Sequence, residues 1–368
     1  MKKLDSAQNI AKGILICSVI LFHCNMFIDS SVVTDFNILF LIFPCLMGVF
    51  FFYSGYNYNP EKRTPKESII RRTKQLLLPI LIIWGLSIIL VVPMLLLTNN
   101  ASLYNIKQSF VYLAMTEPWA LASGLDVTTI SFELSVCIGI QWFLYTLWIT
   151  SCVFYLIVDF VNKKLSRHII TVALLLFIAF LIGKFVGTNL PYVIQCYPVV
   201  LAIMLTAAYL KKSNFLDKEE SKARICTKVI AFELIIISIS VICYFTTGAN
   251  VVGSLMAGVF NSNINGLDAY ISYIFAILGT YIIHNISKLV GKIPVIGSLF
   301  EKFGKNSALV FITHAIIISY VDILIFHKKY ELFNSNILSI IYLLIILVIY
   351  IFLFKIIKRR KIKNEQRN

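Results

Sequence analysis

Charged residues are scarce in this chain, at 14% of 368 residues against 59% hydrophobic ones. Soluble domains carry about a quarter charged residues, so a water-soluble enzyme is excluded. Acidic residues are fewest: 18 Asp and Glu stand against 33 Lys and Arg, for a net charge of +15. The eight cysteines, at 17, 24, 45, 137, 152, 196, 226 and 243, contain no CxxC pair. All but Cys226 fall in apolar stretches, where a small soft side chain is ordinary packing. Neither a disulfide framework nor a zinc site is expected. Also lacking is a connection that could hold a soluble domain, since the longest, 98–133, has about 36 residues. No tandem repeat is evident, and the run Asn261-Ser262-Asn263-Ile264-Asn265 is too short for low complexity. Whatever the protein does, it does with the apolar part.

That part consists of apolar stretches of about 20 residues, each long enough to cross a bilayer core of roughly 30 Å. The sequence reads as an all-α polytopic membrane helix bundle with about ten transmembrane helices. The predicted spans are 8–28, 37–56, 75–97, 134–159, 168–187, 192–210, 227–245, 267–286, 307–326 and 335–356. Of the 33 basic residues, 29 lie in the N-terminus, the tail and every second connection. Only Lys107, Lys184, Lys328 and Lys329 lie on the other side. By the positive-inside rule both termini are cytoplasmic. The excess charge therefore sets topology, with some attraction to anionic lipid, and nucleic acid is not expected as a partner. Met1-Lys2-Lys3 precede the first apolar run, but no small-residue cleavage site follows and the run holds His23 and Asn25. The segment is expected to be retained. Residues 1–356 are read as one membrane domain and 357–368 as a basic cytoplasmic tail.

Ionisable groups within a span are costly and are functional candidates by default. Lys12 and His23 are separated by ten residues. A helix rotates about 1100° between them and rises about 16 Å, so both lie on one face. Snorkelling of Lys12 and an interhelical hydrogen bond of His23 are the plainer alternatives. The second span ends in Phe51-Phe52-Tyr53-Ser54-Gly55-Tyr56, where Ser54 and Gly55 allow a helix or a ligand to approach closely. Arg71, Arg72 and Lys74 precede the third span and either set topology or hold an anion. Two arginines at a helix start would oppose the helix dipole, and a bound polyphosphate would relieve that. Glu133 sits at the outer mouth of the fourth span, with Gln141 and Trp142 inside it. The ninth span opens with Gly304-Lys305-Asn306-Ser307 and carries His314 on nearly the same face as Ser307. His168, His284 and His327 lie near span ends and receive no role.

These residues together resemble the membrane-bound acyltransferase-3 family. The resemblance is carried by the run Asn9 to Ile16 leading to His23, with ten residues between a basic residue and the histidine. It continues through Phe52-Tyr53-Ser54-Gly55-Tyr56, the basic run before Leu77-Leu78-Pro79, Gln141-Trp142-Phe143-Leu144, and Gly304-Lys305-Asn306-Ser307 ahead of His314. The opening helix and the Asn-rich stretch look most like the branch named for fucose O-acetylation. Lys12 stands where many relatives have Arg, which keeps the charge and gives up the bidentate fork. The family's Arg-x-x-Arg is met here by either Arg71-x-x-Lys74 or Arg72-x-x-Gln75. Some members add an esterase-like domain; here the membrane part is expected to complete transfer itself or to hand the acyl group to a separate protein.

The resemblance implies O-acylation of a bacterial cell-envelope polysaccharide or lipid-linked sugar at the cytoplasmic membrane. Acetyl-CoA is the expected acyl donor, and no permanently bound cofactor or metal is expected. Lys12, Arg71, Arg72 and Lys74 would hold the CoA phosphates, and neutral His23 would take the proton of the acceptor hydroxyl. The acceptor would enter near Glu133, Gln141 and Trp142, with Ser54, Gly55, Asn306 and His314 on the acceptor side or in supporting roles. A covalent acyl-histidine is the other chemical route. A different class of function, export of glycan intermediates or small solutes without chemistry, would fit a helix bundle with intramembrane His and Asn. Exporters of that kind are commonly built from paired repeats.

Overall fold

A computed structural model describes residues 3–28, 46–97, 102–103, 142–185, 194, 196–218, 221–247, 267–321 and 335–365. Among them the regular structure is helical, as expected where water cannot satisfy backbone groups. The helices are α1 (Lys3–Ile28), α2 (Leu46–Tyr56), α3 (Pro65–Leu86), α4 (Val92–Leu97), α5 (Trp142–Val161) and α6 (Leu165–Phe185). They continue with α7 (Tyr197–Lys211), α8 (Lys222–Thr247), α9 (Asp268–Val290), α10 (Pro294–Lys305), α11 (Ser307–Val321) and α12 (Ser335–Glu365). Six are long and apolar enough to cross a membrane: α1, α5, α6, α8, α9 and α12. The pair α10–α11, bent by 85°, makes a seventh if counted as one broken span.

Burial separates the centre of the bundle from its rim. The α7 residues from Val199 to Ala208 are all buried, the pattern of a helix apolar all round and surrounded by others. It packs on α2, α5, α6 and α9. Helix α1 is the second hub and meets α9, α10, α11 and α12. By contrast α6, α8 and α12 expose rows such as Ile170, Leu174 and Phe177, or Leu344, Val348 and Phe352. These are faces for lipid tails.

One end of the bundle is stitched together by basic side chains on carbonyls. Lys211 Nζ donates to the Tyr58 carbonyl at 2.7 Å, Lys288 Nζ to that of Leu216 at 2.8 Å, and Lys212 Nζ to that of Asn162. Tyr58 donates to the Asp159 carboxylate at 3.0 Å and Tyr56 to Asp217 at 3.2 Å. The basic connections expected on one side are therefore neighbours in space.

Two local features differ from the expectation. Helix α3 starts at Pro65, ten residues before the predicted span, because Thr64 and Glu67 form a reciprocal cap. The Thr64 N–H donates to Glu67 Oε2 at 2.9 Å, and the Glu67 N–H to Thr64 Oγ1 at 3.3 Å. That backbone donor holds the exposed Glu67 carboxyl below the usual range. Arg71 and Arg72 thus lie beyond the first turn, where the helix dipole has faded, and the dipole argument for an anion there does not apply. The second feature is α10, which occupies the expected connection 287–306. Its glycines explain its seat on α1: a Cβ on Gly13 would overlap the Phe300 carbonyl, and one on Gly304 would overlap that of Asn9.

Candidate active site

A cavity of about 380 Å³ opens between α1, α2, α3, α5 and α11. Its wall includes Lys12, Ser54, Lys62, Arg63, Arg71 and Arg72, with Tyr53 and Tyr58. Lys62, Arg63 and Arg71 are exposed, which puts a basic mouth at the stitched end of the bundle. The wall also includes Leu144, Leu147, Phe143, Phe311 and Ser307, so one part of the cavity is apolar. A basic mouth joined to an apolar interior suits a molecule with an anionic head and a thin neutral arm.

Each basic residue has a distinct setting. Arg72 turns into the bundle and donates to Ser54 Oγ, and through Nε to Ser151 Oγ at 3.4 Å. Its guanidinium is thereby fixed between α2 and α5. Arg71 is exposed at the mouth. The Lys12 ammonium lies over the Tyr53 ring, 5.9 Å from its centroid. Lys74 is exposed on α3 and is not part of the wall.

The two histidines of the sequence reading meet. The rings of His23 on α1 and His314 on α11 are 5.2 Å apart between centroids, inclined at 45°. His314 Nδ1 lies 2.8 Å from the Phe311 carbonyl and 3.1 Å from that of Val310. A carbonyl only accepts, so Nδ1 carries the proton and Nε2 keeps a lone pair. His314 is fully buried, and its Nε2 has no partner. His23 Nδ1 is also buried without a partner. Two neighbouring imidazoles thus each offer a buried nitrogen without a partner.

Helix α11 links the cavity to this pair. Ser307 and Phe311 are in the cavity wall, and His314 follows one turn after Phe311, on the face expected from the spacing. The rise from Ser307 to His314 is about 10 Å. Between cavity and histidines stands an aromatic layer. Phe311 lies 4.9 Å from Phe143 and 5.6 Å from His314, and Phe143 lies 4.9 Å from Phe51. Neither histidine is part of the cavity wall.

Other sequence candidates have structural duties. Ser54 anchors Arg72. Gly55 admits α7, since a Cβ there would overlap the Met204 carbonyl. Asn306 closes the elbow between α10 and α11, donating its side-chain amide to the Lys302 carbonyl at 2.8 Å. Glu133 and Gln141 lie outside the described residues, as does the side chain of Trp142, which begins α5. His168 is held by Asn162 at 2.9 Å and stacks on Tyr209.

Sequence reasoning passed over Ser151, the Phe143–Phe311 contact and the pairing of Tyr53 with His284. Phe143 belongs to the Gln141-Trp142-Phe143-Leu144 motif, but nothing in the spacing identifies what it touches. His284 stands near a predicted span end, and no local pattern there points to Tyr53 as its partner.

The fold and site define a polytopic membrane protein with a basic cavity beside a facing pair of histidines. The acyltransferase-3 family model, described as an acyltransferase domain, matches residues 6–356. The chain belongs to that family. No curated protein and no solved structure matches it.

Proposed function

We propose that the protein is an integral membrane O-acyltransferase. It moves a short acyl group, acetyl foremost, from acyl-CoA to a hydroxyl of a cell-envelope polysaccharide or lipid-linked sugar. The observation that carries this reading is the facing pair His23–His314, one helix turn beyond a basic cavity. A sugar hydroxyl attacks a thioester only once a base takes its proton, and an imidazole with a free lone pair is such a base.

In this account Lys12, Arg71 and Arg72 hold the CoA phosphates at the mouth, and Lys74, one turn beyond Arg71, adds charge at the rim. The pantetheine arm follows the α11 face past Phe143 and Phe311. His23 accepts the hydroxyl proton while the sugar oxygen bonds to the thioester carbonyl carbon. The carbon–sulfur bond then breaks, and the imidazolium returns the proton to the departing sulfur. His314 stands beside His23 as a second acceptor. Exclusion of water by the aromatic layer suppresses hydrolysis of the thioester. The acceptor enters from the side of Glu133, Gln141 and Trp142.

Ten spans complete the topology if α2, the α3–α4 segment, α7 and the α10–α11 elbow each cross. The positive-inside rule then makes the basic mouth cytoplasmic in a bacterial inner membrane, where acyl-CoA is made. Asn9 to His23 supports a place near the branch named for fucose O-acetylation. Acetyl-CoA confined to one face of sealed vesicles tests the arrangement. Transfer is expected only when the basic mouth faces the donor; equal transfer from both faces contradicts it.

A further inference from the structure

Tyr53 and His284 form a buried pair that the route from donor to acceptor does not use. His284 on α9 is fully buried and is not part of the cavity wall. Its Nδ1 lies 3.2 Å from Tyr53 Oη on α2, and its Nε2 has no partner. Tyr53 is in the cavity wall, and its ring face carries the Lys12 ammonium of α1. At 5.9 Å from the centroid this is within cation–π range. Three helices are thus joined in series, from His284 through Tyr53 to Lys12.

A histidine inside a span costs stability, and a buried nitrogen without a partner adds to that cost. Leucine would fill the volume without either penalty. The feature that leucine lacks is the Nδ1 contact that fixes the tyrosine ring. A lysine stem has four rotatable bonds, so where its ammonium stands depends on what holds it. Lys288, the next cation along α9, is bonded to the Leu216 carbonyl and does not compete for the ring.

We infer that His284 is a positioning residue for the acyl donor: by tethering Tyr53 it fixes the ring face that sets the Lys12 ammonium in the cavity wall. This rests on the reading of the cavity as the acyl-CoA site. His284 touches neither substrate nor reacting atoms, so its effect falls on donor binding and leaves the chemical step alone.

The test is a mutant cycle on purified, reconstituted protein, reading KM for acetyl-CoA, kcat and melting temperature. His284→Leu and Tyr53→Phe are each expected to raise the donor KM about two- to tenfold, the size of one cation–π contact, with kcat kept. The double variant is expected to match the singles, because either change cuts the same tether. In a Lys12→Ala background neither change should alter KM further. His284→Asn, which keeps a hydrogen-bonding amide near the Nδ1 position, should restore a KM near the wild-type value. If His284→Leu does not fold, Tyr53→Phe and His284→Asn carry the same comparison. A KM rise of equal size without Lys12, an unchanged KM in the wild-type background, or a kcat loss alone would each overturn the inference. Wild-type protein that neither binds nor turns over acetyl-CoA would instead overturn the acyl-CoA reading itself.

Discussion

His23 and His314, on helices far apart in sequence, bring their rings to 5.2 Å between centroids, and each keeps a buried nitrogen without a partner. Two polar rings in a dry bundle usually satisfy one another or the backbone. Here His314 satisfies only Nδ1, on the carbonyls of its own preceding turn. The unused nitrogens mark the place where a proton can be received.

His314→Ala is therefore expected to slow transfer by at least tenfold while leaving acetyl-CoA binding intact. His314→Gln, which cannot present a basic lone pair, should not rescue it. Single-turnover rates with saturating donor check this. A normal rate in either variant would reduce His314 to a packing residue.

Lys12→Ala should raise the donor KM and spare kcat, because contact with CoA phosphate is the same in ground and transition states. Lys12→Arg should preserve binding, since arginine also lies well over an aromatic face. A kcat defect with unchanged KM would contradict this placement.

The two arginines should separate. Arg71 is exposed at the mouth, so Arg71→Ala should lower acyl-CoA affinity and flatten its dependence on salt. Its effect on stability should stay within about 0.5 kcal/mol. Arg72 also ties α3 to Ser54 and Ser151, so Arg72→Ala should lower both affinity and melting temperature. Loss of hydrogen bonds from a charged group costs about 1.5–3 kcal/mol. Arg72→Lys should not restore stability, because one ammonium replaces a planar fork. Titration of acetyl-CoA at several ionic strengths, with parallel melting curves, distinguishes the two positions.

Gly13→Ala or Gly304→Ala should destabilise the protein by about 1–3 kcal/mol or more, since a methyl at either site meets backbone that cannot swing aside. Because α10 seats α1, activity should fall with the folded fraction. A melting temperature unchanged in both variants would contradict the close crossing.

Much of this was legible in the sequence. The Lys12–His23 spacing put both on one face, and both now meet partners in the cavity and the histidine pair. The seven-residue step from Ser307 to His314 likewise gave the α11 face that joins them. Hydropathy found the apolar segments but placed the third span from residue 75, because the Thr64–Glu67 cap and the first turns of α3 lie in a polar stretch. It also missed α10, whose amphipathic sequence reads as a connection. Ser54 and Gly55 suggested a close approach, and only the packing of α7 on Gly55 showed that a helix makes it. Contacts such as Arg72 to Ser151 or Tyr53 to His284 join distant segments, and no local pattern announces them.

The central claim is that His23 performs the proton transfer of an acyl-CoA-dependent reaction. The most direct measurement uses purified protein in lipid with acetyl-labelled CoA and a glycan or lipid-linked sugar acceptor, comparing wild type with His23→Ala. Wild type should move the label onto the acceptor. His23→Ala should bind the donor normally, keep its melting temperature and transfer about 10²–10⁴ times more slowly, the usual cost of losing a general base. Turnover near the wild-type rate in a folded, donor-binding His23→Ala protein would contradict the account.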